Sequence, residues 1–179
     1  MWRKLLFAAV ILILLVTGGA WASDYEHKLD VNKMDVFWSI DGDKIHVKLS
    51  AKTTGWVAIG FDPEKAMQGA NIIIGAVKNG KVKIEDHYGD RKRGHKSDEK
   101  LGSANHVMDP IGLEENGVTT ISFSLPLDSG DKWDKPIDPE KWSRIMIAYG
   151  SGRDSFKAGH AWRGVYEINY TTGESKKIK

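Results

Sequence analysis

Short apolar stretches of alternating character, broken at close intervals by Asp-Gly and Asn-Gly pairs, leave this chain few folds to choose from. Val36, Trp38 and Ile40 alternate with Asp35, Phe37 and Ser39 ahead of Asp41-Gly42, and Ile45, Val47 and Leu49 then alternate with His46, Lys48 and Ser50. A period of two puts successive side chains on opposite faces of a strand, and Asp-Gly or Asn-Gly between two such runs marks a tight hairpin. His46 falls on the polar face of its strand. Asn79-Gly80 and Asn116-Gly117 repeat the turn signal, the second ahead of Val118 to Leu127. Trp56 to Phe61 and Ile72 to Val77 are near-continuous apolar runs, expected of central strands covered on both faces. Ile145 to Tyr149 predicts another buried strand, and Val165 to Tyr170 a last alternating one. The one short helical candidate is Pro63 to Met67, with Asp62 as N-cap and Pro63 at the first helical position. Eight or nine short strands at this spacing predict an all-β fold, a two-sheet antiparallel sandwich of immunoglobulin-like kind.

The first residues have the pattern of a secretory leader. Arg3 and Lys4 precede an apolar run from Leu5 to Val16, Thr17-Gly18-Gly19 breaks it, and Ala20-Trp21-Ala22 places small residues where signal peptidase needs them. The run is shorter than the roughly 20 apolar residues of a comfortable membrane span. We therefore expect cleavage after Ala22, an uncleaved anchor being the alternative, and one exported domain over residues 23–179, periplasmic, extracellular or at the cell surface. Of the 26 Lys and Arg, two lie in the leader, so the mature domain balances 24 basic against 24 acidic side chains. That balance offers no case for nucleic acid, whose binding depends on clustered phosphate neutralisation. The chain has no cysteine. This excludes an iron–sulfur centre, a thiolate metal site and covalent c-type haem attachment, and leaves stability to the core or to a bound cofactor.

From Asp86 to Gly102 the alternation dissolves into Asp, Gly, Lys, Arg and Ser, which predicts a long surface loop. In it Arg91, Lys92, Arg93 and Lys96 face Asp86, Asp90, Asp98 and Glu99 as an exposed mixed-charge stretch. His87 and His95, in or beside that loop, are expected to be solvated. The tail Lys176 to Lys179 is expected to be solvated and frayed.

Several motifs, in order, resemble the DOMON domain over nearly the whole mature chain. They are Gly55-Trp56-Val57-Ala58-Ile59-Gly60-Phe61, the methionine of Met67-x-Gly69-Ala70 with the apolar strand after it, Asp86-x-Tyr88, Phe123-x-Leu125-Pro126-Leu127-Asp128-Ser129-Gly130-Asp131, and a late histidine before Arg163-Gly164. The family, named for the N-terminal domain of dopamine β-monooxygenase, is a β-sandwich that binds haem or sugars in different members. In cytochrome domains such as that of cellobiose dehydrogenase, the resemblance implies a non-covalent b-type haem held by a methionine and a histidine. Met67 and His160 occupy those motifs here. Relatives resembling the haem subunit of ethylbenzene dehydrogenase use methionine and lysine, for which Lys157 is the nearest residue. The hydroxylase-like branch often has aspartate where this chain has Asn71, and the loss of that charge weakens a calcium-type site.

The residues around these positions bear on the same reading. Met67 sits among Lys65, Gln68 and Gly69, unlike core filler, and just ahead of a buried strand. Gly159 has no Cβ to keep a flat macrocycle away. Trp162, two residues from His160, is expected on the same strand face, and Arg163 offers a cation for a haem propionate. His106 and Met108 share one face, so they cannot supply both axial ligands. A thioether and an imidazole together leave iron no open position, which implies one-electron transfer with a redox partner protein or a membrane quinone or cytochrome system. No nucleophile elbow, zinc-protease helix, phosphate loop or dinucleotide fingerprint argues for an enzyme. The alternative is a non-redox module gripping carbohydrate through Trp133, Trp142 and Trp162.

Overall fold

The structure, a computed structural model, describes residues 25–179; the expected leader lies outside the described residues. Among the described residues twelve strands run in chain order: β1 His27–Val31, β2 Met34–Asp41, β3 Lys44–Ala51, β4 Val57–Phe61, β5 Asn71–Lys78, β6 Lys81–Arg91, β7 Gly94–Ser97, β8 Met108–Glu115, β9 Val118–Pro126, β10 Trp142–Gly150, β11 His160–Asn169 and β12 Ser175–Lys177. One 3-10 turn, Asp98–Leu101, follows β7. They form two antiparallel sheets, ordered β1-β2-β3-β9-β8 and β12-β11-β10-β4-β5-β6-β7. The expected all-β sandwich is what the chain adopts.

Alternation does what a period of two demands. In β3 the pattern reads Ile45, Val47 and Leu49 buried, with His46 and Lys48 half-exposed, and His46 Nδ1 lies 2.8 Å from Ser124 Oγ on the outer side. Both Asn-Gly hairpins have positive φ at their two central residues, 51° and 71° at Asn79-Gly80 and 53° and 75° at Asn116-Gly117. That conformation matches the right-handed twist of the strands they join. Between the sheets lie Trp38, Phe61, Ile45, Ile59, Ile121, Ile145 and Tyr170, all essentially inaccessible. Each such apolar side chain contributes roughly 1.5–3 kcal/mol by leaving water. Trp38 also donates its indole N–H to the Tyr170 carbonyl at 3.0 Å, which removes the cost of burying that donor.

β4 and β5 are buried on both faces, as their unbroken apolar character predicts. Their inner face meets the core. Their outer face, at Ala58, Gly60, Ile72 and Ile74, is covered by loops instead of a third layer.

Three local expectations fail. Pro63 to Met67 is not a helical turn: Lys65 and Gln68 bridge as in a tight hairpin, and Asp62 and Ala66 adopt positive φ, which no right-handed helix allows. The stretch after Asp86 is not a loop, because β6 runs on to Arg91 and returns as β7, burying Asp86, His87, Ser97 and Asp98. Asp90 does pair with Lys96 at 3.1 Å, but Asp86 and Asp98 face away from the cations. The tail is not frayed. β12 pairs with β11, and the Val165 N–H donates to the Lys179 carbonyl at 3.0 Å.

Candidate functional site

The outer face of the seven-stranded sheet carries a cavity of about 400 Å³, within the roughly 300–1,000 Å³ typical of small-molecule sites. Its floor follows from strand register. Ala58 and Gly60 on β4 stand opposite Ile74 and Ile72 on β5, and opposite Ala148 and Met146 on β10. Arg163 and Val165 continue the row on β11. Small residues at the centre make this floor flat and apolar. A Cβ on Gly60 would come within 2.8 Å of Met146 Cε, so the glycine keeps the floor low.

Distant parts of the chain complete the lining, and Met67 is among them, half-buried. Its loop is pinned to β6 by backbone bonds: the Gly69 N–H donates to the Gly89 carbonyl at 2.9 Å, and the Gly89 N–H to that of Ala70 at 2.9 Å. A Cβ on Gly89 would lie 1.7 Å from the Met67 carbonyl oxygen, so only glycine permits this approach. His160, exposed at the start of β11, also lines the cavity. Arg144, Arg163 and Lys179 add cations to the lining.

A further imidazole lines the same space. His95 on β7 reaches the cavity, and its Nδ1 lies 2.6 Å from Nδ1 of buried His87, whose Nε2 is 2.9 Å from Glu85. Phe156 closes edge-on over His87, with ring centroids 6.1 Å apart. Burial, and then the neighbouring His87, push His95 down to about 4. Burial likewise lowers His87, against the pull of Glu85. Both rings are therefore neutral near pH 7, and the expectation that these two histidines are solvated is corrected.

The sequence pattern of the DOMON domain matches residues 30–150. The chain belongs to the DOMON family. It is 27% identical over 135 residues to DBH-like monooxygenase protein 1 of Mus musculus, covering 74% of this chain and 21% of that protein. The Homo sapiens protein of the same name is 31% identical over 112 residues, covering 63% and 18%. The chain thus spans about a fifth of the length of these relatives. Among solved structures, the cytochrome b domain of pyranose dehydrogenase from Coprinopsis cinerea superimposes with a TM-score of 0.58 at 10% identity, over 79% of this chain and 78% of that one. That likeness is one of fold.

Within this DOMON domain the residues singled out in sequence divide. Met67, His160 and Arg163 line one cavity. Trp162 does not join them. Tyr149 pairs with Trp162 but Gly150 with His160, so the register slips at Ala161 and residues 160 and 162 lose their common face. Trp162 stacks on Tyr149 at 5.8 Å, against the core. Gly159 is exposed, with no atom within 4 Å of where its Cβ would be, and is not part of the lining. Lys157 is exposed and also outside it, and the half-buried His106 and Met108 lie outside it too. Sequence reasoning missed His95 because its signal, apolar floor residues on other strands, is legible only once the sheet is assembled.

Proposed function

We propose that this DOMON domain is an exported b-type cytochrome domain that holds haem b non-covalently in the outer-sheet cavity and passes single electrons. The observation that carries the reading is the meeting of Met67 and His160, separated by 93 positions, on one apolar cavity. The donor set fits the group. A thioether and an imidazole suit haem iron, the flat floor at Ala58, Gly60 and Ala148 suits a macrocycle, and Arg163, Arg144 and Lys179 suit its carboxylates.

Bound haem would supply one-electron exchange between ferric and ferrous iron. Everything else falls to the chain. Met67 and His160 would hold the iron, and the soft sulfur of Met67 would favour its ferrous state. The apolar floor excludes water and raises the potential further. Such a domain needs a redox partner, a protein or a membrane quinone or cytochrome system, and performs no bond-breaking by itself.

The carbohydrate-binding alternative has less support. Trp142 and Trp162 stand at opposite ends of the β10–β11 ladder, seven residues or roughly 23 Å apart. Trp133 packs on Tyr88 at 4.9 Å. The three do not make one platform.

Purified from a haem-sufficient host, the protein is expected to be red, with a low-spin Soret band that sharpens and shifts on reduction. Met67→Ala and His160→Ala should each abolish the low-spin spectrum. His95→Ala should retain it; loss in that variant with retention in His160→Ala would transfer the nitrogen ligand to His95. Colourless protein that takes up no added haemin overturns the reading.

A further inference from the structure

A second polar constellation lies on the inward side of β6, on the face of the sheet opposite the cavity. The Asp86 side chain is wholly buried; its Oδ2 accepts the His106 backbone N–H at 3.2 Å and its Oδ1 has no partner. His106 Nδ1 lies 3.9 Å from Asp86 Oδ2 and 2.9 Å from Asp134 Oδ2, yet it is aligned as a hydrogen bond to neither. Asp134 accepts the Ser129 hydroxyl at 2.8 Å and leaves its Oδ1 buried and unpartnered. One donor atom from each of Asp86, His106 and Asp134 falls within 4.8 Å of the others.

An independent observation adjoins them. Asp98, in the 3-10 turn, is completely buried, and neither of its carboxylate oxygens has a well-aligned hydrogen-bond partner. Among the described residues, no Lys or Arg lies within ion-pair distance of Asp86, Asp98 or Asp134. Burial and mutual repulsion raise Asp86 to about 8 and Asp98 to about 7, and burial raises Asp134 as well. Protons would remove the charge. They would not satisfy the orphaned oxygens, because a protonated carboxyl without an acceptor is still an unmade hydrogen bond. A cation answers both costs at once.

We propose that Asp86, Asp134 and His106 bind a divalent first-row transition ion of the Zn²⁺ class, with the buried charge of Asp98 beside it. The imidazole nitrogen argues against Ca²⁺ and Mg²⁺, which take oxygen donors, and the lack of sulfur argues against Cu⁺. The ion's work is structural. It ties β6, the approach to β8 and the β9–β10 connection together in a chain that has no cysteine for disulfides. The site does not depend on the haem reading.

The test titrates Zn²⁺ into the chelator-stripped full chain, followed by calorimetry and thermal unfolding. One equivalent should bind and raise Tm, more at pH 8 than at pH 5.5, because protons compete for the carboxylates. Asp86→Asn and His106→Gln should each weaken binding at least tenfold. Met67→Ala and His95→Ala should bind as the parent does, which separates this site from the cavity. Should a cluster variant fail to fold, the d–d spectrum of Co²⁺ added to the parent chain reports whether a nitrogen-and-oxygen site exists. The proposal is overturned if Zn²⁺ and Co²⁺ bind without stoichiometry, if only Ca²⁺ binds, or if His95→Ala removes the Zn²⁺ while Asp86→Asn keeps it.

Discussion

Asp86 and His87 are neighbours on one strand, and they face opposite sides of one sheet. Both are buried, and burial disfavours charge on each. The consequences differ in sign. On the outer side the imidazoles of His87 and His95 shed their protons and remain as neutral nitrogen donors beside an apolar cavity. On the inner side the carboxyls hold their protons or require a cation. One physical cost thus builds two unlike polar sites, and which one a residue joins depends only on strand parity.

The outer site is most vulnerable at Gly89. Its replacement by Ala drives a methyl into the Met67 carbonyl and must shift the loop that carries Met67. We expect a loss of about 3 kcal/mol, overpacking of backbone being costly, measured as a fall in Tm, together with loss of any Met67-dependent spectrum. An unchanged melting curve would mean the loop is not anchored there.

The two sides also respond to pH in opposite directions. Asp86 and Asp98 are raised in the folded state, so ionising them destabilises the metal-free fold as pH rises from about 4 toward 8. Asp86 alone sets a slope of up to roughly 1.4 kcal/mol per pH unit over that window. His95 is lowered, so its stability contribution is lost as pH falls from about 6.5 toward 4. The two oppose each other below pH 6.5. Metal-free protein should therefore lose stability most steeply just above pH 6.5, and less steeply between 4.5 and 6, where the histidine offsets one of the two carboxyls. Denaturant midpoints across that range check the shape, and Asp86→Asn should flatten the alkaline limb.

A smaller effect is expected at Phe156. Phe156→Ala uncovers His87 to water, and NMR titration should show both histidines moving back toward the ordinary range near 6.5. The Asp86 side should not respond.

Much of the fold was legible in the chain. Alternation in β2 and β3, the Asn-Gly turns and the unbroken runs of β4 and β5 each report local geometry, and motif order singles out Met67 and His160, which line one cavity. The strand beyond Asp86 was not legible, because its outward and inward residues are both polar, Glu85 and His87 against Asp86, and alternation loses its contrast. Asp98 looked like one charge in a solvated run; only the packing of the β9–β10 connection buries it.

A period of two and its interrupting turns follow from backbone sterics and hydrophobicity within a few residues, so the order of residues alone settles the alternating strands, their Asn-Gly hairpins and the sandwich they make. Register, the slip at Ala161 that turns Trp162 to the core, and the desolvation of Asp86, Asp98 and His95 belong to the assembled sheets. Those properties arise from segments tens of positions apart, and no local pattern encodes which of them will share a dielectric.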